Sequence, residues 1–406
     1  MKRLLLCLLA ASPALAFSQG SQVNTQSQKA VGMAGAGSAL FIDETSIVYN
    51  PGALAKMEGN AISVGASAIM YRSAFQEAGS QDVHHTRFQI SPPVSVFAAF
   101  GPRDSWWKAG IGVYTPYGGG VDWGKEWPGR FSLTSLSMRS FYIQPTLSIR
   151  LNDKFSVGGG FVYNVGIVDL GRSLPVYGPD GREGHAELKG TGTGMGYNVG
   201  IHYNLEDQFA ISLNYRSKVI TKLEGGDVTF DVPQALAANF PNGKFDAELP
   251  LPSSFNVGIA FPLSERVKTA IDASFINYSI YKELAFDYEN NTPALQDTRS
   301  AKKYENAFSA KAGINYEASD KLELRVGGGY VHTPVRASYV YPETPDNNRL
   351  MAAGGLTYKF NPNWQLSASY VFQKILKRTT TNAETQLRGA YETNIHAPGI
   401  SISYAW

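Results

Sequence analysis

The chain has 406 residues and a formal charge of +2, with 41 Gly, 22 Tyr, 21 Phe, 6 Trp and only 17% charged residues. So even a balance lacks the basic stripe that nucleic-acid binding needs, and no nucleic-acid partner is expected. Abundant Gly and aromatics with modest charge suit strands that face lipid on one side.

Residues 1–16 read as a signal peptide, with cleavage no later than residue 18. Lys2-Arg3 is the charged start, Leu4 to Ala10 the apolar core, and Ala14-Leu15-Ala16 the cleavage site. The only cysteine, Cys7, lies inside that core, and the apolar run before it is too short for a lipoprotein site. The mature chain then has no thiol, which excludes disulfides and thiolate metal centres. No later stretch approaches about 18 continuous apolar residues, so helical spans are not expected. A closed barrel is the remaining way into a membrane.

Residues 19–58 are expected to form a plug. Their centre, residues 31–54 (VGMAGAGSALFIDETSIVYNPGAL), is built mostly from Gly, Ala and Ser, and turns sharply at Asn50-Pro51-Gly52. Small side chains let a backbone lie close against another surface. A small-residue linker at a domain start is the alternative.

From residue 59 to 406 the pattern predicts an all-β chain: a 14-stranded antiparallel transmembrane barrel. Strands are expected near 60–72, 86–100, 107–117, 138–150, 155–168, 185–203, 208–222, 253–262, 266–280, 306–317, 321–333, 348–360, 363–374 and 393–406. The fourth shows the alternation best. Phe141, Ile143, Pro145, Leu147 and Ile149 share one face, and Tyr142, Gln144, Thr146, Ser148 and Arg150 the other. In the sixth, Gly190, Gly192, Gly194 and Gly196 form a bare face against which something must pack closely. A phosphate loop would need a following helix and a Lys-Ser/Thr pair, and neither is there.

The connections sort into two kinds. Short ones such as Gly101-Pro102-Arg103-Asp104 and Asn361-Pro362-Asn363 alternate with long ones at 73–85, 118–137, 169–184, 223–252, 281–305, 334–347 and 375–392. That is the topology of an outer-membrane barrel with tight inner turns and long outer loops, both termini on the periplasmic side. A β-sandwich has no reason to sort its loops so. The last strand alternates Ile400, Ile402, Tyr404 and Trp406 to the final residue.

Two places break the pattern. Pro92-Pro93 sits inside the second strand, where neither residue can donate an N–H, so pairing must lapse there. The third strand is expected to end at Thr115-Pro116-Tyr117, followed by Gly118-Gly119-Gly120. A bulge without functional consequence is the alternative reading of both. In the loops, residues 231–240 are expected to form a short helix capped by Asp231, with Leu236 and Phe240 on one face. That face is either a binding groove or packing for the loop that carries Trp123, Trp127 and Phe131. No G-x-S-x-G, H-E-x-x-H or P-loop is present, and the six histidines show no ligand spacing. No catalytic residue, metal site or cofactor is expected.

From about Gln22 to Trp406 the chain resembles the family of outer-membrane long-chain fatty acid and hydrocarbon transporters. The resemblance rests on Gly32, Gly37, Asp43, Ser46 and Asn50-Pro51, on Leu249-Pro250-Leu251-Pro252, on Thr333-Pro334-Val335 and on residues 345–349 (PDNNR). The family's hatch carries Asn-Pro-Ala; here Gly52 takes the third place, which keeps the turn and adds freedom. The resemblance implies a fourteen-stranded barrel with an N-terminal hatch. It also implies capture of ligand by outer loops, an apolar pocket, and sideways exit through a gap made by an inward kink of strand three. Pro92, Pro93, Pro116 and Gly118 to Gly120 are the residues expected at that gap.

Arg172 falls where the family carries a basic residue implicated in fatty acid binding, and Lys302 and Lys303 lie near a second such position. Solvated loop charge is the plainer reading for these lysines. Burying each methylene is worth about 0.8 kcal/mol, so about a dozen supply on the order of 10 kcal/mol before ordering costs. One cation near the head group then suffices for orientation. The aromatic terminus resembles the signal read by barrel-assembly machinery. Expected partners are therefore fatty acids or hydrocarbons, outer-membrane lipid and lipopolysaccharide, and that machinery during biogenesis; the expected state is a monomer. A plugged barrel serving an export or assembly machinery is the competing function.

Overall fold

The computed structural model describes residues 22–206 and 209–406. The expected signal peptide lies outside the described residues. Fourteen antiparallel staves form a closed ring. They are β1 (61–77), β2 (83–100), β3 (Trp107–Asp122), β4 (Ser135–Arg150), β5 (Phe155–Tyr177), β6 (Glu183–Glu206), β7 (209–231) and β8 (243–264). After these come β9 (267–288), β10 (298–317), β11 (Leu322–Val331), β12 (Arg349–Lys359), β13 (Trp364–Thr381) and β14 (Arg388–Ala405). The ring closes where β1 pairs with β14, from Ala61↔Ala405 to Ser67↔Gly399 and again from Met70↔His396 to Glu77↔Gly389.

The faces fall as alternation requires. On β4, Ile143 and Leu147 are exposed to the outside, while Tyr142, Gln144, Thr146 and Ser148 are buried within. Exposed apolar side chains outside and buried polar ones inside are what lipid around a closed sheet demands. At the short-turn rim Trp106, Tyr358, Phe360, Trp364 and Trp406 are all exposed, an aromatic girdle of the kind that sits at a membrane–water boundary.

All fourteen expected strands are present, but most run further toward the long loops than alternation predicted. β3 continues through the glycines to Asp122, β5 reaches Tyr177, β8 begins at 243 and β13 reaches Thr381. The connection expected at 73–85 shrinks to 78–82, and that at 375–392 to 382–387. Beyond the lipid belt neither face need be apolar, so the period-2 signal fades while backbone pairing goes on. The expected helix over 231–240 is a single 3-10 turn, Gln234–Leu236, without a side-chain cap. Asp231 instead ends β7, where its backbone pairs with His185.

The N-terminal segment lies inside the ring as α1 (Gln28–Val31), α2 (Ser46–Tyr49) and a 3-10 turn, Pro51–Lys56. Its polar groups are met by the wall. Asp272 of β9 accepts from the Gly37 amide at 2.7 Å and from the Ser38 hydroxyl. Gln144 of β4 donates to the Ile47 carbonyl at 2.7 Å. Asn50 caps the 3-10 turn by accepting from Gly52 N at 3.1 Å and donates to Ile201 O at 3.0 Å. Inside the plug Lys29 and Asp43 pair at 2.9 Å.

Close approach, rather than backbone freedom, explains Gly52. Its φ is not positive, and a Cβ there would come within 2.6 Å of the Gly200 carbonyl. The contact is reciprocal: a Cβ on Gly200 would lie 2.3 Å from Asn50 Oδ1, and one on Gly158 would lie 2.3 Å from Pro51 O. The bare face of β6 is filled too, because β7 bends at Ser217-Lys218 and lays Val219 to Leu223 over it.

Gly200→Val is expected to cost the docked plug about 1–3 kcal/mol through overpacking. Ion conductance in planar bilayers should rise while the barrel keeps its heat-modifiable mobility. Unchanged conductance would show that the Asn50-Pro51-Gly52 turn can give way without unseating the plug.

Candidate functional site

Above the plug, toward the long loops, lies a cavity of about 260 Å³. Its floor is the N-terminal arm, Gln22 to Thr25, with Val31, Ala34 and Gly35. Its wall is largely apolar, including Ile69, Val168, Leu170, Leu249 and Ile395. The lid side carries Tyr278, Tyr281 and Tyr304. The Tyr304 hydroxyl lies 2.8 Å from Thr344 Oγ1, another residue of the lining. Charge is sparse: Glu248, Glu343, Asp346 and Arg349 reach the lining, and Arg349 pairs with Asp346 at 2.9 Å.

One side of the cavity meets a lapse in the barrel wall. β2 and β3 pair from Phe100↔Ala109 up to Val96↔Val113. Among the described residues the next bond between them is Arg87 N to Asp122 O, at 2.7 Å. Between these points Pro92 and Pro93 offer no donors, and β3 bulges at Thr115-Pro116, where its register against β4 slips between Tyr114 and Tyr117. Ser91 on one edge and Gly118 to Gly120 on the other line the cavity, so it reaches the seam.

The arm stitches that seam. Val23 N donates to Pro116 O at 2.8 Å, and Gln22 bridges to Tyr117. Gln26 spans both edges: its Nε2 donates to Thr115 O at 2.8 Å, and its carbonyl accepts from Ser95 Oγ at 3.2 Å. Backbone groups left open by the bulge thus find partners in the plug.

The residues singled out from sequence are scattered. Pro92, Pro93, Pro116 and Gly118 to Gly120 do gather at the seam. Arg172 lies on the inward face of β5, in step with Val168 and Leu170, and its Nε is buried without a hydrogen-bond partner. Lys302 is no solvated loop charge. It is 2% exposed, pairs with Glu343 and sits 3.6 Å from the centre of the Tyr341 ring. Lys303 is exposed and donates to Tyr339 Oη at 2.8 Å. Trp123 and Trp127 are buried and stacked at 4.6 Å, in a cluster with Phe75 and Tyr391. Phe131 is half-buried beneath Arg130. Phe240 packs on Phe230, within a separate cluster of the β5–β9 outer ends, and Leu236 is half-buried on the same loop. Neither meets the tryptophan loop.

The sequence reading singled out Asp346 and Arg349 only as part of the 345–349 motif, without a role at the site, and missed Lys311. Lys311 is buried on the inward face of β10, opposite Asp272 in register, with its Nζ 3.1 Å from where a Cβ of Gly35 would stand. A lysine on the face shared by Ala307, Ser309 and Gly313 was the available signal.

A family profile described as outer membrane protein transport protein (OMPP1/FadL/TodX) matches residues 8–406. The chain belongs to this family. It is thus an outer-membrane protein of a family that transports hydrophobic compounds. A putative outer membrane protein of Neisseria meningitidis serogroup B is 27% identical, across 91% of this chain and 89% of that one. A long-chain fatty acid transport protein of Escherichia coli O6:H1 is 21% identical, across 96% and 95%. Among solved structures, a Pseudomonas aeruginosa FadL homologue superposes with a TM-score of 0.84 at 18% identity, covering 95% of this chain and all of that one (100%). The Pseudomonas putida toluene transporter TodX gives 0.70 at 14%, covering 97% and 99%. At such identities these two speak for the FadL/TodX fold alone.

Two variants test the site. Gln26→Leu keeps bulk but removes the donor to Thr115, and is expected to weaken the stitch by about 1 kcal/mol. Amide exchange at Val23 should quicken several-fold; unchanged exchange would mean that the arm is held elsewhere. Lys302→Met strands the largely buried Glu343 and should destabilise the lid by about 3 kcal/mol, read as earlier loop proteolysis than in the parent.

Proposed function

We propose that this family member takes up long-chain fatty acids: the outer loops capture them, the apolar cavity holds them, and the β2–β3 seam releases them sideways into the membrane. The observation that carries this reading is the contact of the cavity with the seam, at Ser91 and Gly118 to Gly120. A cavity lined mainly by apolar groups supplies affinity through the tail. Lys311 and Arg172 are the inward cations available to orient a carboxylate. The outer position of the long loops puts both termini in the periplasm, residues 1–16 act as an export signal, residues 19–58 as the hatch and residues 59–406 as a monomeric barrel. Trp406 serves assembly-machinery recognition, and lipopolysaccharide surrounds the loop end.

A neutral hydrocarbon is the second reading, and one observation favours it. The Arg349 guanidinium already pairs with Asp346, and Lys302 with Glu343, so the cations nearest the lining are spoken for. Mass spectrometry of lipids retained on gently purified protein separates the two readings.

Ser91→Trp is the direct test of lateral release. It should narrow the seam and lower whole-cell uptake of a fluorescent fatty acid by about tenfold, roughly 1.4 kcal/mol on the rate, while binding by purified protein stays. Uptake at the parental rate would rule out exit between β2 and β3.

A further inference from the structure

Arg216 stands on the inward face of β7, one residue before the bend at Ser217-Lys218, and is 6% exposed. Its Nη2 donates to Val48 O at 3.2 Å, its guanidinium carbon lies 5.7 Å from the Tyr114 ring centre, and its Nε is buried without a partner. Tyr114 lies against it, Tyr142 and Tyr117 follow ring to ring at 5.8 and 6.2 Å, and Asn198 and Asn214 share the Val48 carbonyl with it; among the described residues no ion pair reaches it. A buried cation without a counter-charge is costly, and an ionisable side chain at membrane depth usually marks a functional site.

Its place in the barrel suggests the function. Tyr114 is the first β3 residue past the last β2–β3 pair, Val96↔Val113, so Arg216 lies beside the lower corner of the seam. Tyr117 donates to Pro252 O at 3.1 Å, and Pro252 belongs to the cavity wall. Through Tyr142 and Tyr114, the Tyr117–Pro252 contact thus links the cavity wall to Arg216. Holding the plug is not reason enough for the charge, because Asn198 and Asn214 also donate to Val48 O, at 3.3 and 3.4 Å.

We propose that Arg216 is a second carboxylate station, reached when the Tyr117–Pro252 contact parts, where the head group of a long-chain acid rests while its tail passes through the seam. This rests on the transport reading above and adds a basis for selection. An apolar seam passes a neutral tail unaided, but a carboxylate leaving water's reach needs a partner. Acids should therefore depend on Arg216 and neutral hydrocarbons should not.

The test compares Arg216→Met and Arg216→Lys with the parent chain in whole cells, using oleate and hexadecane as probes. Arg216→Met should lower oleate uptake at least about tenfold, as loss of a charged hydrogen bond implies, and leave hexadecane uptake within about twofold. Arg216→Lys should recover most of the loss. Equal loss for both probes, or raised bilayer conductance in Arg216→Met, would make Arg216 a plug latch and overturn the station. Parental oleate uptake in Arg216→Met would overturn it as well, with the transport reading intact. A parent chain that neither binds nor imports oleate would sink both.

Discussion

In a hydrocarbon layer every backbone N–H and C=O needs a partner, and a closed antiparallel ring satisfies that need by construction. Where β2 and β3 stop pairing, between Val96↔Val113 and the Arg87–Asp122 bond, that need has to be met another way. The lapse is managed twice over. Pro92 and Pro93 remove donors from the β2 edge instead of leaving them bare. On the β3 edge the bulge frees the carbonyls of Thr115 and Pro116, and Gln26 and Val23 take them up. The arm that floors the cavity is therefore also what makes the open seam tolerable, and movement of one involves the other.

The plug can do this because its fit against the wall is made of backbone and small side chains. Gly52 against Gly200, and Pro51 against Gly158, bring main chains into direct contact at the short-turn side. On the opposite wall Met33 lies so close to Gly313 and Gly327 that a side chain at either position would overlap it. The polar contacts between these points involve groups that already had to be satisfied, such as the α2 carbonyls of Ile47 and Val48. The segment also buries Met33, Ile47 and Leu54, the last two in one cluster with Phe97, Tyr114 and Tyr142 of the wall, so its docking combines close fit with apolar contact.

That division explains what the sequence disclosed. The lipid belt imposes a strict period of two, so all fourteen staves were legible, and the Gly-Ala-Ser composition of residues 31–54 marked the plug. The proline pair and the Thr115-Pro116-Tyr117 run marked the seam, because proline removes donors wherever it stands. Strand ends were not legible, since past the belt neither face of β5 or β13 need be apolar. The cavity was the least legible part. Trp123 and Trp127 look like a binding face in a loop and prove to be lid core, while Lys311 and Arg349 look like ordinary strand residues and prove to point inward. Which inward residues meet depends on how the bends of β7, β8 and β3 converge, and no local pattern encodes that.

The convergence also sorts the interior charges. Lys29 with Asp43, Arg325 with Glu323, Arg349 with Asp346 and Lys302 with Glu343 are mutually compensated, the first within the plug, the second along β11 and the last two at the long-loop end. Arg216 is not. Lys311 faces Asp272 across the β9–β10 pairing, yet that carboxylate is already engaged by Gly37, Ser38 and Asn256. Those hydrogen bonds leave the charge of Asp272 in place opposite Lys311, and the plug's Glu44 is a further buried acid; Arg216 lies at the seam corner with no carboxylate paired to it among the described residues. Paired charges at the entrance and an unpaired cation at the seam corner would favour a carboxylate deeper in over one at the entrance. The same arrangement is indifferent to a neutral tail, whose path is set by apolar surface alone.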